Sequence, residues 1–176
     1  MGQDGGVRAV RCVQGAIQVV DAPEPEGEVG VRVVSAGICG SDHHLISQGF
    51  VEGRIIGHEV AGLLDDGTPV AIEPVAGCGV CERCVRGDYH VCGQPGFSIR
   101  GISDDGGMAE RMAVPASAIV ALPSGVRAED ACLVEPLAVL PVRSEASRAV
   151  SCWSVSALTR LSAKPYGCQS PAACID

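Results

Sequence analysis

Lysine is almost missing from this chain. Lys164 is the single copy among 176 residues, against twelve arginines. Acidic residues outnumber basic ones by 21 to 13, a formal net charge of −8. Nucleic-acid binding is driven by clustered Lys and Arg that release counterions, so an acidic chain argues against it. Aromatic side chains make up only 3% of the residues, too few for base stacking. Long apolar runs are lacking too. The longest uncharged stretch, Met112 to Val126, has 15 residues and is interrupted by Pro115 and Pro123, so no membrane partner is expected. The first six residues, Met1 to Gly6, hold neither the basic patch nor the apolar run of a secretory leader, which predicts the reducing cytoplasm. Ten cysteines are then to be explained as thiols. A disulfide-rich secreted protein is set aside, for want of a leader and of cysteines spread through the chain.

What is present, from Val7 to about Leu122, is a series of short segments separated by Gly, Pro and Asp turns. That pattern predicts a mainly β domain with short helices, assigned to residues 1–122. Val29, Val31 and Val33 alternate with Gly30, Arg32 and Val34, the period of a half-buried strand. Further strands are expected at Ile55–Leu64, Pro69–Ile72, Met108–Val114 and Ile119–Leu122. From Arg127 the pattern turns helical, and Pro136 is placed to open a second helix at its first turn. Residues 123–140 therefore read as a helical connection.

Residues 77–96 carry four cysteines and almost no aliphatic side chains, so something other than a core must order them. Cys78, Cys81, Cys84 and Cys92 form Cys-x2-Cys-x2-Cys-x7-Cys. Two-residue gaps let successive thiolates turn back onto one tetrahedral ion. An iron–sulfur cluster also uses close cysteines, but its bacterial run has a shorter last gap followed by Cys-Pro. Four cysteine ligands leave no position for water, so the expected ion is a structural zinc. His90, inside the loop, competes poorly with four thiolates and is read as a surface residue. Cys12 and Cys132 are read as small core residues, and Cys152, Cys168 and Cys174 as free thiols.

A second constellation comprises Cys39-Gly40-Ser41-Asp42-His43-His44 and Gly57-His58-Glu59. With the cysteine loop downstream and Leu133-Val134-Glu135-Pro136-Leu137 beyond it, the chain resembles the zinc-dependent medium-chain dehydrogenases over roughly Val7 to Leu140. The resemblance implies a GroES-like, partly open β-barrel and a catalytic zinc held by Cys39 and His58, with Glu59 as a mobile carboxylate. Glu135 falls where classical alcohol dehydrogenases have a third cysteine and polyol or threonine dehydrogenase-like members have an acid, which implies that it is a further ligand of the catalytic zinc or a charge beside the ligands. An oxygen donor there leaves more positive charge on zinc. In the family pattern Ser41 takes the substrate proton, His44 passes it on, and Asp42 orients the His58 imidazole. His43 is adjacent, but the spacing favours His44. The implied reaction is oxidation of a small-molecule alcohol or polyol by NAD or NADP, with two zinc ions per chain, in proteins that are homo-oligomers.

The texture changes after about Leu140. Among the last 35 residues only Gly167 is glycine, seven are serine, and the charge becomes +2. No Gly-x-Gly-x-x-Gly fingerprint of a Rossmann domain occurs in the chain. The expectation is therefore that the Rossmann domain is absent, that residues 141–176 are an aberrant tail from truncation or frameshift, and that the chain alone has little activity. A zinc-binding interaction module without catalysis is the alternative. Retention of Cys39, Ser41, His44, His58, Glu59 and Glu135 together favours the enzyme, because a module needs only the cysteine loop.

Overall fold

The structure is a computed structural model that describes residues 6–139. Strands β1 (Val7–Val13) and β2 (Ala16–Ala22) pair antiparallel, with Val13 opposite Ala16. The two residues between them, Gln14 and Gly15, have φ of 53° and 73°, the left-handed pair whose twist matches that of a two-residue hairpin. Isolated bridges from Ala9 to Ala109 and from Arg11 to Ile55 attach the hairpin to the rest of the chain.

A five-stranded antiparallel sheet forms the body. Its strands are β3 (Val29–Gly37), β4 (Glu59–Leu63), β5 (Pro69–Ile72), β8 (Arg111–Val114) and β9 (Ile119–Ala121), in the order β8-β3-β4-β5-β9. Val31, Val60, Val70, Ile72, Met112 and Val114 point into one buried cluster. Two short strands, β6 (Val75–Ala76) and β7 (Ser98–Ile99), pair at the base of the cysteine excursion and close it off from the sheet. The helices are short: α1 (Gly40–Ser47), α2 (Glu82–Val85) and α3 (Val134–Val139). The fold is mainly β with short helices, and none of the described helices is long and apolar enough to cross a membrane.

Several boundaries differ from those expected. Pro69–Ile72 is a strand as drawn, but the segment from Ile55 becomes a strand only at Glu59. Gly57 is the reason: its φ of 97° interrupts the extended chain, and a Cβ there would lie 2.6 Å from Met108 Cγ. The next strand starts at Arg111, since Met108 donates its backbone N–H to Ile56 at 2.9 Å outside any strand. β9 stops one residue early, at Ala121. Alternation along β3 fails where the register with β4 shifts between Val33 and Ser35, a bulge that leaves Val33 and Val34 both partly buried. Near the end, a 3-10 turn at Ala131–Leu133 runs into α3, in which Pro136 is the third residue and not the opener. A proline is tolerated there because first-turn N–H groups have no helical acceptor. Cys12 is fully buried, whereas Cys132 is only partly so and is not a core residue. Cys152, Cys168, Cys174 and the rest of the tail lie outside the described residues.

Candidate metal centres

The register of β3 against β4 builds the first centre. Gly37 is the Cα partner of Glu59, so continuing the ladder brings Cys39, two residues on, beside His58, one residue back. Cys39 then caps α1, and its backbone N–H donates to Asp42 Oδ2 at 2.9 Å. This contact turns the Asp42 side chain back beneath the helix start. Its other oxygen, Oδ1, lies 3.3 Å from His58 Nδ1, with both side chains buried. The contact is off the hydrogen-bond line, leaving Nδ1 without an aligned acceptor. It sets Nδ1 beside Asp42, with Nε2 on the side of Ser41. Asp42, and then the neighbouring Cys39, push His58 up to about 9 against the cost of burial.

One ligand atom each from Cys39, His58 and Glu59 lies within 4.8 Å of the other two. Donors bound at about 2.0–2.3 Å to one tetrahedral ion stand roughly 3.3–3.8 Å apart, so the cluster fits a single zinc. His58 and Glu59 are buried carriers of polar groups, and an ion is a natural partner for them. Glu135, on α3, is outside this set. It is partly buried, and burial raises its carboxyl above the usual range, with His58 opposing and Glu59, Glu73 and Asp42 reinforcing. Ser41 is exposed, with Oγ 3.5 Å from His58 Nε2. His44 is exposed on the last turn of α1, its Nε2 2.8 Å from Gln48 Nε2.

The second centre is the cysteine loop. Ligand atoms of Cys78, Cys81, Cys84 and Cys92 all lie within 4.8 Å of one another. The Cys78–Cys84 and Cys81–Cys92 sulfur pairs are each 3.9 Å apart. Sulfur atoms on a tetrahedral zinc are about 3.8 Å apart, and those of a disulfide about 2.05 Å. The spacing fits four thiolates on one ion. Backbone N–H groups of Val80 and Cys81 draw Cys78 down to about 6, while burial pushes Cys84 up to about 12. A Cβ on Gly77 would lie 2.6 Å from Cys84 Sγ, so glycine is needed for the loop to close.

His90 differs from the surface residue expected of it. Its Nδ1 is buried with no hydrogen-bond partner among the described residues, and its ring stands edge-on to Tyr89 at 6.2 Å. Glu73 and Tyr89, absent from every motif, also come into play: the Tyr89 hydroxyl donates to Glu73 Oε2 at 3.1 Å. Nothing in their spacing marks them, because the contact crosses from β5 to the cysteine loop.

Residues 25–124 match the family model of the alcohol dehydrogenase GroES-like domain. The chain is 37% identical to an L-threonine 3-dehydrogenase of Pyrococcus abyssi over 135 residues, covering 67% of this chain and 38% of that protein. It superposes on a crystal structure of galactitol-1-phosphate dehydrogenase from Escherichia coli with a TM-score of 0.67 at 30% identity, covering 75% of this chain and 42% of the other. A short chain alcohol dehydrogenase (rspB) from Escherichia coli CFT073, solved in complex with NADH, gives a TM-score of 0.68 at 32% identity, covering 75% and 43%. The chain spans about two fifths of the length of the curated relatives it matches.

Proposed function

The chain belongs to the alcohol dehydrogenase GroES-like domain family, and from that premise we propose that it is the metal-binding catalytic part of an oxidoreductase that oxidises a small alcohol or polyol with NAD or NADP. The observation that carries the reading is the convergence of Cys39, His58 and Glu59 within 4.8 Å, with Asp42 behind the imidazole. A structural module has no use for that second cluster. The similarity to an L-threonine 3-dehydrogenase and a galactitol-1-phosphate dehydrogenase supports a hydroxyl-bearing substrate, and the NADH complex of a third relative supports a nicotinamide acceptor.

Cys39, His58 and Glu59 would hold a catalytic zinc, and the four loop cysteines a structural one. When bound, the catalytic ion supplies Lewis acidity that lowers the pKa of a substrate hydroxyl. Asp42 fixes the tautomer and orientation of His58. Glu135 would serve the same centre as a further carboxylate ligand or as a negative charge beside the ligands. Ser41 is exposed beside His58 and takes the substrate proton at Oγ, and His44 on the next turn of α1 passes it to solution. A general base must have such an open path for its proton.

Elemental analysis of the purified protein tests the assignment. Two zinc ions per chain are expected, one for each cluster, with Cys39→Ser reducing the count to the loop ion alone. A wild-type protein that holds only the loop ion would replace this reading with that of a non-catalytic zinc-binding module. Little NAD+ reduction against threonine, polyols or polyol phosphates is expected of this chain by itself.

A further inference from the structure

Between the two centres lies a carboxylate that belongs to neither. Glu73 follows β5 directly and is partly buried. Its Oε1 accepts the Val75 backbone N–H at 3.1 Å and its Oε2 accepts the Tyr89 hydroxyl at 3.1 Å. A partly buried carboxylate is tolerated when donors reach it, and here each oxygen has one, Oε1 the Val75 amide and Oε2 the Tyr89 hydroxyl. Tyr89 stands between Cys84 and Cys92, and its carbonyl accepts the Cys92 N–H at 3.0 Å. A Cβ on Gly77 would meet Cys84 Sγ at 2.6 Å and Tyr89 Cβ at 2.9 Å. Tyr89 is thus packed against the metal-wrapping part of the loop. On the other side, β5 packs on the Ala131–Leu133 turn that leads into Glu135. The β4–β5 ladder pairs Ala61 with Ala71, and its continuation sets Glu73 opposite Glu59.

We propose that Glu73 is a positioning residue that couples the two metal centres through its hydrogen bond from Tyr89. A closed cysteine loop fixes Tyr89. Tyr89 and the Val75 amide then hold the Glu73 carboxylate in place, and its fixed negative charge, acting with Glu135, strengthens cation binding at Cys39, His58 and Glu59. Physical connection through packed groups with defined positions is what such coupling requires. The inference rests on the two-centre reading above.

Cobalt(II) titration of the metal-free protein tests it. Both centres carry thiolate and both contribute charge-transfer and d–d bands with cobalt, so Cys39→Ser supplies the loop spectrum alone and its subtraction from wild type gives that of the second centre. Glu73→Gln and Tyr89→Phe are each expected to weaken cobalt binding at the second centre by about threefold or more, with the loop spectrum unchanged. The double variant is expected to be no weaker than the weaker single variant, because both remove one link. A residue that merely supported the fold would move both spectra together. Unchanged second-centre affinity in both variants, additive losses, or parallel loss of the loop spectrum would each overturn the proposal. Should Glu73→Gln not fold, Tyr89→Phe alone decides by the same criterion. Wild-type protein that takes up a single cobalt ion would refute the two-centre reading and the coupling with it, a result distinct from two ions with insensitive variants.

Discussion

Gly37 faces Glu59 across β3 and β4 as its direct antiparallel partner, and the Glu59 carboxylate occupies the space that a Cβ on Gly37 would fill. A glycine two residues before Cys39 is therefore what lets a buried acid point toward the metal cluster. Gly37→Ala is expected to displace Glu59 and remove the second zinc while the loop retains its own. Overpacking at such a site costs about 1–3 kcal/mol, which urea denaturation would register. Undiminished zinc content in the variant would show that Glu59 is not held by this vacancy.

Asp42 sits at the junction of a helix cap and a metal ligand, bonded to the Cys39 N–H through one oxygen and set against His58 through the other. Asp42→Asn keeps a side-chain oxygen for the cap but removes the charge beside the imidazole. Metal affinity at the Cys39–His58–Glu59 centre is expected to fall by about 10–100-fold, as measured by competition with a chromogenic chelator. An unaltered affinity would mean that the imidazole is oriented by other groups.

The parts of this molecule that were legible in its sequence are those where residue identity carries the chemistry. Four cysteines at short gaps point to one cluster, and their ligand atoms do converge within 4.8 Å, as do those of Cys39, His58 and Glu59, which acquire meaning from the company they keep. The mainly β body was readable because β-branched residues alternate, as far as Val33. Beyond that point, the bulge at Val34 breaks the period for a reason that lies in the partner strand. Ile55 to Gly57 looked like strand because a positive φ at glycine has no sequence mark apart from the glycine itself. Glu73 and Tyr89 were invisible for a related reason: a single hydrogen bond between a strand end and a loop leaves no pattern in either. His90 was misplaced because its burial depends on how Tyr89 and the loop wrap around it.

Loop order should depend on its metal. The four sulfur atoms stand at zinc spacing with few apolar contacts about them, and Val80, Val85 and Val91 are exposed. On the proposed zinc assignment, the binding energy of the ion is the main force that folds residues 77–96. Chelation is expected to abolish amide-exchange protection at Val85, Arg86 and Cys92, while Val31, Val60 and Val70 in the sheet stay protected. Gly77→Ala, which drives a Cβ onto Cys84 Sγ, should reproduce that pattern without chelator. Loss of protection across the sheet in either experiment would mean that loop and body fold as one unit.

Glu52 holds the β1–β2 turn through its carboxylate. Its carboxylate oxygens accept the backbone N–H groups of Gln14 at 2.6 Å and Gly15 at 3.0 Å. Both residues of that turn have positive φ, and Gln14 is the one non-glycine residue at positive φ among the described residues. The two amides hold the Glu52 carboxyl below its usual range. A group whose pKa is depressed on folding stabilises the folded state above its unfolded pKa, and that contribution is lost as pH falls through the depressed value. Glu52→Gln is therefore expected to be less stable than wild type at neutral pH and to converge with it in acid. Urea midpoints for the two proteins, measured from pH 7 down to about pH 3, would trace the convergence. A stability difference that stayed constant across that range would show that the Glu52 side chain acts by shape and not by charge.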